Sequence, residues 1–179
     1  EKDQTVYHFD PSGWLAWVQD RNANRTSLTY DGEGRLTTVA EPAGRTLVLA
    51  YTSPVSPSLI SQVNDPAGRT IQFTYNITGE LTAVTDVRSY PTTMTYDTDH
   101  RLLSITDANG HTFVTNFYDE DGRVVEQYDA LNNLTTFVYD LPNRQTVVTS
   151  PLGHPTTYTY DENLRLVQED DALNHTVSY

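Results

Sequence analysis

The chain has no cysteine and one methionine among its 179 residues. Without cysteine there are no disulfides, no Cys-ligated zinc, no iron–sulfur cluster and no thiol nucleophile. The compartment is left open, because such a chain tolerates reducing and oxidising surroundings alike. Basic charge is scarce: 11 Lys and Arg, Lys2 the sole lysine, stand against 24 Asp and Glu, for a net charge of −13. So acidic a surface argues against nucleic acid and against docking on anionic membranes. No apolar run approaches the roughly 18 residues of a membrane-spanning helix, and mean hydropathy is −0.53. The start, Glu1-Lys2-Asp3-Gln4, is not followed by an apolar signal-peptide core.

What is present points to strands. There are 12 Tyr and many Thr and Val, all strand formers. Nine Gly and nine Pro, with abundant Asp and Asn, supply frequent turns. The composition predicts an all-β chain, long enough to bury roughly two thirds of its unfolded surface.

An internal repeat decides the architecture. Tyr30-Asp31-Gly32-Glu33-Gly34-Arg35-Leu36 is a complete copy of Tyr-Asp-x-x-Gly-Arg-Leu, and Tyr118-Asp119 leads to Gly122-Arg123-Val124. Tyr96-Asp97 leads to Arg101, Tyr139-Asp140 to Arg144, Tyr160-Asp161 to Arg165, and Tyr75-Asn76 to Gly79. Phe9-Asp10 leads to Gly13, and a degenerate copy with a Pro-rich insert covers residues 51–63. The lead aromatics recur about every 21 residues, with one wider step at the insert. The whole of 1–179 therefore reads as a single array of about eight repeats. Between lead aromatics a second turn recurs, as in Glu41-Pro42-Ala43-Gly44, Asp65-Pro66-Ala67-Gly68 and Asp107-Ala108-Asn109-Gly110. Asp first, Pro second and Gly fourth is a type I turn signature.

One repeat is thus two strands and two turns. The strand entering the lead Tyr alternates with period 2: Leu28, Phe73, Met94 and Phe137 stand two residues before it. In the following strand the apolar columns lie three apart, as in Leu36 and Val39 or Leu81 and Val84, which predicts a bulge between them. Short connections make successive strands neighbours. The expectation is a long antiparallel meander of repeated β-hairpins, about 15 strands, curved or spiral because so wide an open sheet must curl. The lead Tyr positions should stack as cross-strand ladders. Both ends of the chain fall inside a repeat, so we expect a fragment of a larger array. Its end strands would be open edges available for self-association unless another chain covers them.

This motif, at this spacing over essentially the whole chain, resembles the RHS/YD-repeat family. Departures are local: Asn76 stands for the Asp, His100, Asn143 and Leu164 for the Gly, and Gln145 for the Leu. The resemblance implies a β-hairpin strip that spirals into a hollow shell. Bacterial members enclose a toxic C-terminal domain in such a shell, in Tc toxin complexes and in polymorphic secreted toxins, and teneurin ectodomains carry a related one for adhesion. It implies a non-catalytic section of shell wall whose partners are the remaining repeats and an enclosed polypeptide. The parent would be secreted or at the cell surface, and bacterial. Tyr30, Asp31, Gly34, Arg35, Leu36, Tyr75, Gly79, Tyr96, Asp97, Arg101, Tyr118, Asp119, Gly122, Arg123, Tyr139, Asp140, Arg144, Tyr160, Asp161 and Arg165 would be structural, repeat-defining residues.

Chemistry is sparsely signalled. His111, His154 and His175 share a turn-exit column with Arg45 and Arg69, which suits a surface position rather than a metal ligand. Asp119-Glu120-Asp121-Gly122 opens like a calcium loop, but Arg123 and Ala130 stand where oxygen ligands are needed. No nucleophile elbow, P-loop or dinucleotide fingerprint is present. No catalytic, metal or cofactor-binding residue is assigned, and no cofactor. The Arg column should pair with neighbouring turn acids. Trp14 takes the Arg position of its copy and should face away from the ladder as the exposed aromatic. With Trp17 it is the candidate for a second reading, an extracellular glycan- or receptor-binding module.

Overall fold

A computed structural model describes residues 4–179. Among these there are 17 β-strands and no helix, and the chain divides into two compact units, 1–92 and 93–179. The first unit holds β1 (Val6–Phe9), β2 (Leu15–Gln19), β3 (Arg25–Tyr30), β4 (Leu36–Ala40), β5 (Thr46–Ala50), β6 (Gln62–Asn64), β7 (Thr70–Tyr75) and β8 (Leu81–Thr85). Each pairs antiparallel with the next. β9 (Pro91–Tyr96) contributes Thr93–Tyr96 to the second unit, where it pairs with β10 (Leu102–Thr106). There follow β11 (Thr112–Tyr118), β12 (Val124–Tyr128), β13 (Leu134–Asp140), β14 (Gln145–Thr149), β15 (Pro155–Tyr160), β16 (Leu166–Asp170) and β17 (Thr176–Ser178). These too pair in chain order, all antiparallel. The meander is as expected, but with 17 strands rather than about 15. Two of them, β6 and β17, are three residues long and carry too little alternation to be read from sequence.

The anticipated bulge is present. Tyr30 pairs with Leu36 while Thr29 pairs with Thr38, leaving Thr37 as the extra residue. The same shift recurs at Phe9, Tyr75, Tyr96, Tyr118 and Tyr160. An extra residue turns two side chains three apart onto one face, so Leu36 and Val39 both lie on the side of Tyr30. The hydroxyls of Thr37 and Thr82, each the extra residue of its bulge, donate to the carbonyls of Thr29 and Thr74.

Most repeats turn on a three-residue loop: a type I turn, then a residue in the left-handed region that closes a bulge. In the copy at Tyr30, Gly34 N–H donates to the Asp31 carbonyl, Asp31 N–H donates to the Arg35 carbonyl, and Gly34 has φ 81°. Glycine meets that φ without steric cost. His100 and Leu164 adopt it at 65° and 60° in copies that lack the Gly.

No core forms in the usual sense. Among the described residues no apolar side chain is buried, and Asn116, at 6% exposure, is the only residue that is. In β9, Met94 and Tyr96 are half-buried and Thr93 and Thr95 exposed, the period-2 pattern of a sheet with one better-covered face. Asn116 occupies the position two before a lead Tyr where most copies have an apolar residue. It is satisfied there: its Nδ2 donates to the Leu102 carbonyl and its Oδ1 accepts from Gln127 Nε2.

Candidate functional site: the joint between successive repeats

The repeat-defining residues converge on one construction. The aspartate of each Tyr-Asp pair closes its turn. Asp97 Oδ1 accepts from the N–H groups of Asp99 and Arg101, both at 2.9 Å, and Oδ2 accepts from Arg101 Nε at 2.7 Å. Asp31, Asp119 and Asp161 do the same with Arg35, Arg123 and Arg165. The Arg101 backbone N–H and then its guanidinium hold the Asp97 carboxyl below the usual aspartate value, against partial desolvation. Asp31 and Asp119 are lowered for the same reasons. The arginines thus pair with the acid of their own turn, rather than with those of neighbouring turns.

The tyrosine faces the previous repeat. Tyr30 Oη donates to the Leu15 carbonyl at 3.0 Å, Tyr51 to Leu36 at 2.9 Å and Tyr75 to Ile60 at 2.8 Å. Tyr118 reaches Leu102 at 2.6 Å and Tyr139 reaches Val124 at 2.7 Å. Most of these acceptors open a bulged strand, where the extra residue takes the carbonyl out of the regular ladder. Partial burial pushes the hydroxyls of Tyr75 and Tyr139 up.

The arginine completes the joint. Its guanidinium lies over the lead Tyr of the next repeat: Arg35 over Tyr51 at 5.0 Å, Arg101 over Tyr118 at 4.7 Å, Arg123 over Tyr139 at 4.9 Å. Such cation–π contacts draw the guanidinium to the negative face of the ring, though solvent weakens them at exposed sites. Lead tyrosines sit two strands apart, roughly 9.5 Å, whereas paired rings need about 4.5–7 Å. The expected ladder of stacked tyrosines is therefore replaced by a Tyr–Arg alternation. Trp14, at the Arg position of the first copy, does not face away. Its ring lies 5.2 Å from that of Tyr30, in the slot an arginine fills elsewhere. Nor is it the one exposed aromatic: Tyr7, Phe9, Tyr90, Phe113, Phe117 and Tyr179 are more exposed. Trp17 is flanked by the His8 ring from β1 at 4.8 Å and by the Arg25 guanidinium from β3 at 4.0 Å.

The remaining candidates lie in turns. His111 and His175 approach the turn acids Asp107 and Asp171, as Arg45 and Arg69 approach Glu41 and Asp65. His154 N–H donates to Ser150 Oγ. Asp119 and Asp121 both meet Arg123, at 2.7 and 2.8 Å. Asp65-Pro66-Ala67-Gly68 is an ordinary turn, with Gly68 N–H donating to the Asp65 carbonyl.

One copy breaks the pattern. In the β13–β14 hairpin Asp140 pairs with Gln145 and Tyr139 with Thr146, with no bulge. The turn lies one residue later, closed by Arg144 N–H on the Leu141 carbonyl, and Arg144 takes the positive φ of 52°. Pro142 explains it. At the third position of a type I turn proline forces its predecessor out of the helical region; at the second it is favoured. Shifting by one residue moves Pro142 from third to second. Arg144 then loses Asp140 and donates from Nε to the Tyr160 carbonyl at 3.3 Å. The unbulged β14 keeps Gln145 in the ladder, paired with Thr159, so its carbonyl does not serve Tyr160.

A family model described as RHS Repeat matches residues 9–46, 78–112 and 118–154, more than half of the chain. The chain belongs to the RHS repeat family. The RHS repeats of this chain also share their fold with solved structures. A crystal structure of TcdB2-TccC3 matches with TM-score 0.64 and 16% identity over 95% of this chain. The same complex without its hypervariable C-terminal region gives 0.64 and 17% over 97%. The Tc holotoxin pore of Photorhabdus luminescens gives 0.62 and 17% over 97%. This chain spans only 11–12% of the length of those chains. No curated protein sequence matches it.

Proposed function

We propose that this chain is a non-catalytic section of an RHS/YD-repeat shell wall that encloses or scaffolds a partner polypeptide, within a single array running through 1–179 and beyond. The observation that carries the reading is the Tyr–Arg joint. Each repeat's side chains are spent on its own turn and on the repeats before and after it, which suits a wall built by repetition. The absence of any buried apolar side chain among the described residues supports it further, since a half-covered face gains from a partner. RHS membership and the fold shared with TcdB2-TccC3 agree with it. The likeness to a Photorhabdus luminescens assembly supports a secreted or cell-surface bacterial parent.

Limited proteolysis of the intact parent protein tests this. A segment outside the repeats should survive protease while the repeats are folded and be cut once they are denatured. Cleavage of every non-repeat segment at the rate of the same segment in isolation would rule out enclosure.

A further inference from the structure

The broken copy leaves an unused binding group beside an opening. A cavity of about 240 Å³ is lined by Asp140, Leu141, Arg144, Gln145, Tyr160 and Leu164, among others. Its surface is mostly apolar, rimmed by turn-tip Leu141 and Leu164, which are 65% and 77% exposed. Among the described residues the Nη groups of Arg144 donate to no protein atom, and the Tyr160 hydroxyl has no partner. In other copies the same arginine is committed: Arg35, Arg101, Arg123 and Arg165 hold their own aspartates. The two acids nearby are already engaged. Asp140 accepts from the backbone and side-chain nitrogens of Asn143, at 3.2 and 2.7 Å. Asp161 is held by Arg165 Nε at 2.8 Å and by two backbone N–H groups, and the Arg144 charge acts on its carboxyl only as a lesser influence without a hydrogen bond.

We propose that this cavity is a binding site for the carboxylate of an apolar acid. The carboxylate would accept from the free Nη groups of Arg144 and from the Tyr160 hydroxyl, and the apolar body would lie between Leu141 and Leu164. A guanidinium with open terminal donors is the side chain best matched to a carboxylate. Two sources share this chemistry: a free aryl or alkyl carboxylic acid, and the C-terminal carboxylate of a polypeptide ending in an apolar residue. The inference does not depend on the shell reading.

The test is titration of the 179-residue chain, followed by NMR of the arginine Nε–H and backbone amide signals. The probes are 3-phenylpropionate, its neutral amide, and a short peptide ending in Phe with a free or amidated C-terminus. Expected is a saturable shift at Arg144 and Tyr160 with the carboxylate, and binding about tenfold or more weaker for the amide, since a charged hydrogen bond is lost. Arg144→Gln should weaken the acid by a similar factor. A second variant, Pro142→Ala with Asn143→Gly, restores the regular turn and re-pairs Arg144 with Asp140. It should lose the acid while keeping the strand circular dichroism spectrum. No saturable shift into the millimolar range, or equal binding by either variant or by the amide, would overturn the site. If the free-carboxylate peptide outbinds 3-phenylpropionate and its amidated form does not, the source is a polypeptide C-terminus. If the small acid binds as tightly, the source is a free acid.

Discussion

A lead tyrosine donates its hydroxyl to a carbonyl that its own hairpin does not supply, so its contribution depends on the repeat before it. Tyr139 finds Val124 at 2.7 Å, whereas Tyr160 finds no such acceptor because Gln145 stays in the ladder. Tyr139→Phe should therefore cost about 1 kcal/mol, the net value of one hydrogen bond, while Tyr160→Phe should fall within about 0.5 kcal/mol of the parent. Urea denaturation of both variants decides it; equal losses would mean the hydroxyl bond is not what Tyr139 contributes. The Tyr, Asp and Arg columns were legible as a repeat from their spacing. What each does was not. The Tyr contact spans 15 or 16 residues and the Arg contact 16 or 17, and neither can be assigned until the strand pairing is known. Arg144 is the sharpest case. Asp140 and Arg144 keep the standard spacing, so the copy reads as regular except at Pro142, Asn143 and Gln145, and only the turn preference of proline gives the shifted turn away. Trp14 is hidden for a related reason: a residue that replaces arginine reads as leaving its place, yet a flat indole fills the same slot against Tyr30.

At the scale of the hairpin, the bulge links local backbone to the joint. The three-residue step between apolar columns announced it in the sequence, because no regular strand places Leu36 and Val39 on one face. Its second effect, releasing the carbonyl that the next tyrosine uses, has no sequence signature. Deleting Val125, the extra residue between Val124 and Glu126 in the pairing with β11, should convert that hairpin to the regular form seen in β13–β14. The chain should remain folded, and Tyr139→Phe should then have little further effect, a coupling measurable by a double-mutant cycle. Additive losses from the two changes would separate the bulge from the hydroxyl contact.

At the scale of the whole molecule, the turn carboxylates act as a set. Asp31, Asp65, Asp97, Asp119 and Asp161 are all held below the ordinary aspartate value by backbone N–H groups and arginine partners. A carboxyl whose folded pKa is depressed stabilises the fold above its unfolded pKa, and that contribution is lost as pH falls through the folded one. The urea midpoint should thus be level near neutrality and fall as pH drops below about 4, the unfolded aspartate value. A midpoint that rises on acidification would mean that relief of the −13 charge outweighs the turn contacts. The strand composition and the meander were readable at this scale. The lack of buried apolar side chains was not, because alternation reports which face a residue takes and says nothing of how well that face is covered.

The reach of the lead tyrosine also bears on how such arrays change length over generations. Each hydroxyl stops one repeat away, so a stretch of about 21 residues copied in phase brings its own acceptor carbonyl and offers one to its successor. Duplication or loss of a whole period leaves every joint intact, while an insertion between a lead tyrosine and the carbonyl it reaches would leave that tyrosine without its acceptor. The Pro-rich insert shows where extra residues are tolerated: they lie before Ile60, so Tyr75 still reaches the Ile60 carbonyl, and Arg35 still finds an acceptor in Pro57.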